Sequence, residues 1–558
     1  MPSSPDSAWP NSGFRYWAPR ITSGIVIPLV LLALLEGALR LFGIGYSTSL
    51  MEPCTIHGRP ASCYNLFFPA PYFPPGMIKS PRFYSIPNEK PPGTYRIFVL
   101  GESAAMGDPD SAYGFSRYLE VMLHESFPAT KFEVVNTGMV AINSHVTLAI
   151  ARELASYKPD LFIVYAGSNE VVGPFGPGTV LTASSMSLPI IRASIFVRST
   201  RISQLMTSAS SAKTQWRGME MFLDKQVRAD SPRMEHAYRN FSRNLKDIVG
   251  VAHAAGARVL LSTIAVNLRD SAPFASLHRP GLGQNALHSW SQLVKQGAAL
   301  ESVGDNPGAL RSYQQAAQFD DQYAELHFRI ARCLWAIGDF TAAKEHYIRA
   351  RDLDTLRFRA DSRVDSIISS VATSSGPTVE LLDAESFFSG ESHNGVIGSE
   401  LIYDHVHFTP PGNYLLAHSA FDQIVKSLPA ELRNSARGTE PLSELDCERR
   451  LAFTVHDRSR VASEMLDRMQ RPPFTSQLNH AEQMQRLMFR AAGSTESFQD
   501  TVSQYQWAIA HSPGDLTLHY KFGFFLFDYD RRAAAQQLIL ARPNDTFPVF
   551  LPDGTQVQ

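Results

Sequence analysis

Cysteine is scarce in this chain, with four in 558 residues, too few for a fold stapled together by disulfides. Charge of one sign is lacking too, since 51 Lys and Arg stand against 53 Asp and Glu for a formal net charge of −2. That balance carries no basic footprint, so no nucleic-acid partner is expected. No acidic tail marks a disordered interaction segment either. What remains is an ordinary globular composition, 44% apolar and 19% charged, in a chain long enough for about two to four domains.

The first positive feature is an apolar run. Ile21 to Ile44 reads ITSGIVIPLVLLALLEGALRLFGI. As a helix it would extend about 36 Å, enough to cross a hydrocarbon core. Its charges, Glu36 and Arg40, stand four apart near the far end, where they can pair or reach toward headgroups. A buried core helix is disfavoured by the length of the run. A cleaved signal peptide is the sharper rival, but the following LLEGALRLFG lacks a clear small-x-small cleavage site. The segment 21–44 is therefore read as an uncleaved signal-anchor that makes the chain a single-pass membrane protein. Arg15 and Arg20 precede it, which puts residues 1–20 in the cytoplasm and the rest outside, in the periplasm or at the cell surface. Two readings stay open for Cys54 and Cys63, in CTIHGRPASC: a disulfide if that stretch is extracytoplasmic, or two unpaired thiols. Cys333 and Cys447 are isolated in helical patterns.

Residues 45–93 are rich in Pro and aromatics and exclude long helices, so an extended connector is expected. From residue 94 the pattern alternates. The apolar runs TYRIFVLGES, KFEVVNTG, PDLFIVYAGSNE, ARVLLSTIAVN and PTVELLDAE read as five strands, separated by segments of helical spacing. Such alternation implies an α/β fold with a mostly parallel sheet covered on both faces. Sites in such sheets form at the carboxyl ends of the strands.

A repeat lies between the fourth and fifth strands. Gly297, Gly304, Ala309, Tyr313 and Ala316 recur after 34 residues as Ala331, Gly338, Ala343, Tyr347 and Ala350. Small and aromatic residues at this period resemble the tetratricopeptide helix pair. A weaker copy near the C-terminus uses Tyr505, Ala508 and Pro513, then Gly523, Ala535 and Ile539. These helices either bind a protein partner or support the rest of the chain from within.

Four blocks carry chemistry. Gly101-Glu102-Ser103-Ala104 puts a serine among small residues just past the first strand; a structural turn serine is the bland alternative. After the second strand, Asn136-Thr137-Gly138-Met139-Val140-Ala141 offers backbone N–H groups that a ligand oxyanion can approach closely. Gly167-Ser168-Asn169 ends the third strand, where the Asn169 amide can donate to an oxyanion or merely cap the next turn. In Tyr403-Asp404-His405-Val406-His407, Asp404 and His407 stand three apart and can join carboxylate to imidazole. Asp404, His405 and His407 are also potential metal ligands, but no partner cluster appears elsewhere, so no metal or other cofactor is expected.

In this order the blocks resemble those of the SGNH/GDSL hydrolase family, over roughly 94–275 and 356–428. The resemblance implies a flavodoxin-like three-layer domain in two parts, interrupted by a tetratricopeptide-like insertion at 276–355 and followed by a helical, tetratricopeptide-like region at 429–558. Val266-Asn267-Leu268-Arg269-Asp270 and ARDLDTLRFRA look similar to bacterial membrane-anchored members that carry such repeats. Carried over to this chain, Ser103 is the nucleophile, His407 the general base and acid, and Asp404 its orienting partner. The Ser103 N–H, the Ala141 N–H and the Asn169 amide then form the oxyanion hole. The family's GDS is GES here, so Glu102 lengthens the arm of the carboxylate. Ala141 stands where the second block has its glycine, with Gly138 as fallback. Asn267 and Arg269 would face the same opening to hold substrate, unless Arg269 simply pairs with Asp270, which is the preferred reading.

The function implied is a serine esterase that removes acyl or acetyl groups, on envelope glycan or lipid, through an acyl-enzyme. An O-acyltransferase would use the same triad, and a catalytically idle scaffold built on the repeats is the alternative from a different class.

Overall fold

The computed structural model describes residues 12–77, 83–183, 187–208, 215–438, 440–492 and 496–557, with side chains from residue 23 onward. The apolar run lies in a helix, Ser12–Leu41, of which Ser23–Leu41 is long and apolar enough to cross a membrane, at mean hydropathy 2.1. The helix stops at Leu41, short of Ile44, where Gly43 and Gly45 both take positive φ.

The expected extended connector folds instead into a small antiparallel sheet of β1 (Met51–Ile56), β2 (Arg59–Tyr64) and β3 (Ser85–Pro87). The prolines exclude helix but not strand pairing, and a two-residue turn at His57-Gly58 folds β1 back on β2. Cys54 and Cys63, one on each of these strands, are joined by a disulfide. The aromatics of the stretch, Tyr64, Phe68, Tyr72 and Phe73, are buried.

The central sheet has β4 (Thr94–Gly101), β5 (Lys131–Asn136), β6 (Leu161–Tyr165), β7 (Arg258–Ser262) and β8 (Val379–Leu382), all parallel, in the order β5-β4-β6-β7-β8. Every residue of β4 and β6 is buried, as expected of a parallel strand covered on both faces. Two groups of helices cover the sheet. Phe115–Ser126 packs on Pro410–Ser427, while Pro232–Ala254 packs on both Ser144–Leu154 and Ser362–Ser374. β7 and β8 are shorter than the apolar runs suggested, because beyond Ser262 the chain leaves the ladder for the loop that carries Asn267, and beyond Leu382 it enters the helix Ala384–Glu391, capped by Asp383.

The 34-residue spacing falls on four helices between β7 and β8: Gln284–Ser302, Asn306–Ala317, Ala324–Ala336 and Phe340–Leu353, each packed on the next. A Cβ on Gly297 would lie 2.5 Å from the Tyr313 ring, so the missing side chain is what lets the first two helices close. Beyond residue 443 a second set of helices forms. Those up to Ala492 join the main core through Cys447, Met465 and Leu487, and Phe498–His511, Leu516–Leu526 and Arg531–Leu540 build a small core of their own around Tyr505, Ala508 and Phe522.

Candidate active site

The site begins at the carboxyl end of β4. A Cβ on Gly101 would lie 2.1 Å from the Tyr165 carbonyl oxygen, so only glycine lets β4 and β6 converge there. Ser103 opens the single helical turn Ser103–Met106, which leaves its N–H without a partner inside the helix. Glu102, just before it, is buried and accepts the backbone N–H groups of Gly167 (3.1 Å), Ser168 (2.9 Å) and Asn169 (3.2 Å). Burial pushes its carboxyl well above the usual range, nearby Glu170 adds to this, and the three N–H bonds act the other way. Glu102 thus ties the Asn169 loop to the Ser103 turn, a role invisible in sequence, where it reads as a lengthened GDS aspartate.

The chain between β8 and the helix Pro410–Ser427 brings the other half. His407 Nε2 faces Ser103 Oγ at 2.9 Å, and His407 Nδ1 faces Asp404 Oδ2 at 2.7 Å. Asp404 Oδ1 accepts the N–H groups of Val406 and His407, both at 2.9 Å. Burial opposes the charge on Asp404, yet the imidazoles of His407 and His405 hold its carboxyl well below the usual range. Burial likewise pulls His407 down, but the carboxylates of Asp404 and Asp108 outweigh it and raise the imidazole above its ordinary value. His405, ringed by Phe274, Phe358 and Phe474, is lowered by burial despite Asp404 beside it.

No family model matches the chain, and no curated protein matches it. Among solved structures, TesA is similar at 18% identity over 31% of this chain, with TM-score 0.18; this chain spans 62% of TesA's length. A GDSL-like lipase from Bacteroides thetaiotaomicron is similar at 10% identity over 60% of this chain and 89% of its own, with TM-score 0.25. Both overlaps are too loose to assign fold or function, which rest on this chain's own geometry.

The oxyanion-side candidates separate cleanly. The N–H of Gly138 donates to Asn136 Oδ1 at 2.9 Å, which commits it to its own turn and removes it as the fallback donor. Ala141 sits at φ +60, in the left-handed region that costs an L-residue about 1 to 2 kcal/mol. That conformation is the one a glycine would take freely. Asn169 is held through its backbone by Glu102, and its side-chain amide has no partner among the described residues. Glu170 next to it accepts the Ser144 N–H (2.7 Å) and hydroxyl (2.8 Å), and burial pushes its carboxyl up to about 7. This bond ties the loop of Asn169 to the helix that follows Ala141.

Two expected substrate contacts lie elsewhere. Asn267 is buried, donates to the carbonyls of Asp404 (2.9 Å) and Ile402 (3.3 Å), and accepts the Asp270 N–H. It holds the Asp404 loop in place instead of facing a substrate, because all of its amide atoms already have partners. Arg269 pairs with Asp270 (2.9 Å) and Glu400 and lies over the Trp335 ring, which matches the salt-bridge reading of its sequence.

Asp404, His405 and His407 bring one potential ligand atom each within 4.8 Å of the others. Asp404 and His407 already form the hydrogen bonds just described, and His405 Nδ1 lies 3.3 Å from the same Asp404 Oδ2. An imidazole accepting at Nε2, as His407 does, carries its proton on Nδ1, where no lone pair is left for a metal. The donor set fits a proton relay better than an ion.

Sequence reasoning missed the loop Asp108-Pro109-Asp110 altogether. Asp108 Oδ2 lies 3.1 Å from His407 Nε2, and the Arg468 guanidinium pairs with the same carboxylate. Arg460 and Lys521 pair with Asp110. The C-terminal helices are therefore clamped onto the rim of the site. The only trace in sequence is a pair of acids flanking a proline five residues past Ser103.

Proposed function

We propose that the chain is a membrane-anchored serine esterase of SGNH/GDSL type, with Ser103 as nucleophile, His407 as general base and acid, and Asp404 as the group that orients His407. The observation that carries this reading is the 2.9 Å approach of Ser103 Oγ to His407 Nε2, with Asp404 behind the ring. His407 takes the hydroxyl proton as Ser103 Oγ attacks an ester carbonyl. The tetrahedral oxyanion is held by the N–H groups of Ser103 and Ala141 and by the Asn169 amide. Collapse expels the alcohol, which takes the proton from His407 and leaves an acyl-enzyme. Water, deprotonated by His407, then releases the acid and restores the serine.

The strand order β5-β4-β6-β7-β8 supports a flavodoxin-like domain, since counted within the sheet it runs 2-1-3-4-5. The repeating helix pairs between β7 and β8 are read as the tetratricopeptide-like module, a support or a docking surface for a protein partner. The disulfide at Cys54 and Cys63 supports an extracytoplasmic location for everything past the anchor. The acyl group is proposed to be carried on envelope glycan or lipid.

Labelling with a fluorophosphonate probe tests the nucleophile. Wild type should label and Ser103→Ala should not; equal labelling of both would place the nucleophile elsewhere.

A further inference from the structure

Two helices beside the anchor carry apolar side chains outward. In Leu188–Arg198 the exposed positions are Pro189, Ile190, Ala193, Phe196 and Val197, a stripe of one helix face that holds no polar group. Arg192, off that stripe, reaches Asp247 and Asn244 in the domain. In Arg201–Ser208, Leu205 and Met206 are exposed as well. Phe196 is 71% exposed and Met206 74%, a clustering of large apolar groups that a water-soluble face does not carry without a purpose.

The anchor fixes where this face lies. The Glu36 carboxylate accepts the N–H groups of Arg201 (3.1 Å) and Ile202 (3.2 Å), so it caps the start of the second helix. The Gln204 amide exchanges hydrogen bonds of 2.9 and 3.0 Å with the Tyr46 backbone, just past the anchor. Glu36 stands five residues before Leu41, the end of the apolar span (41 − 36 = 5). At 1.5 Å per residue that is about 7 to 8 Å inside the span, the depth at which interfacial helices bury their apolar faces. The half-exposed Phe67 stacks on Tyr46 at 4.4 Å and, with exposed Leu66, extends the same apolar edge.

We propose that helices Leu188–Arg198 and Arg201–Ser208, with Leu66 and Phe67, form a membrane-embedded collar that seats the domain in the lipid leaflet around its anchor. This rests on the reading of Ser23–Leu41 as membrane-spanning. The occupant is lipid rather than a second chain because Glu36, inside the span, holds the collar at acyl-chain depth.

Site-directed nitroxide labelling of the full chain in phosphatidylcholine vesicles tests it. Cys54 and Cys63 are bonded and Cys333 and Cys447 buried, so an introduced cysteine is the one that reacts. Labels go on Phe196→Cys, on Leu31→Cys within the span and on Val303→Cys, 78% exposed in the helical insertion. Labels at 196 and 31 should collide more with oxygen than with a water-soluble nickel chelate, and the label at 303 the reverse. Lipid-like behaviour at 31 with water-like behaviour at 196 would overturn the collar and leave the anchor standing. A water-like label at 31 would overturn the anchor and the collar together. Shielding at 196 from both relaxants, with spin–spin broadening between chains, would make the face a protein interface and overturn the proposal.

Discussion

Asp108 Oδ2 and Ser103 Oγ approach the same atom, His407 Nε2, at 3.1 and 2.9 Å. The Arg468 guanidinium holds the Asp108 carboxylate there from the far end of the chain. Burial works against the charge on Asp108, but His407 and Arg468 keep its carboxyl below the usual range, so it is ionised when His407 is.

A negative charge beside an imidazole raises its pKa, and a general base works only when neutral. The acidic limb of the kcat/KM profile should therefore lie above the ordinary histidine range. Asp108→Asn removes the charge and leaves Arg468 with only the longer pairing to Glu464 (3.5 Å), both of which lower the His407 pKa. The limb should shift to lower pH in a pH–rate series. An unmoved limb would mean that Asp108 does not act on His407.

Asp404→Asn should keep the fold and lose about 10⁴-fold in kcat, because the imidazole would no longer be held with its proton on Nδ1. Steady-state kinetics beside the far-ultraviolet dichroism of the variant check both halves.

Glu102→Ala would strand three buried N–H groups at Gly167, Ser168 and Asn169. Each unsatisfied group costs about 1 to 3 kcal/mol, so the denaturation midpoint should fall clearly. The freed Asn169 loop should cost kcat as well. Glu102→Gln keeps one acceptor oxygen and should lie between the two in stability and rate.

Ala141→Gly should stabilise the protein by up to about 1 kcal/mol, since relief of the positive φ outweighs the added freedom of the unfolded chain. Ala141→Val should do the opposite, as a branched Cβ fits that conformation poorly. Urea unfolding of the two variants gives the sign directly.

The long apolar helix and the five strands were legible because length, hydrophobicity and periodicity are properties of neighbouring residues. So was the order of the Ser, Asn and Asp-x-x-His blocks, each of which is a short local pattern. The roles of Asn267 and Glu102 were not, because a buried amide that satisfies carbonyls and one that faces a substrate look identical in sequence. The prolines of 45–93 excluded helix, but whether the chain would then pair as strands depended on a turn and a partner edge.

The sequence by itself determined an apolar span of membrane length, an alternation that forces a parallel sheet, and the residue types available at its strand ends. Only the tertiary structure decided that Ser103 meets His407, that Arg468 reaches Asp108 across 360 residues, and that Glu36 caps a helix beginning 165 residues later. Periodicity is imposed residue by residue along the backbone, whereas these contacts depend on how distant elements pack, and a single charged side chain leaves no pattern to announce its partner.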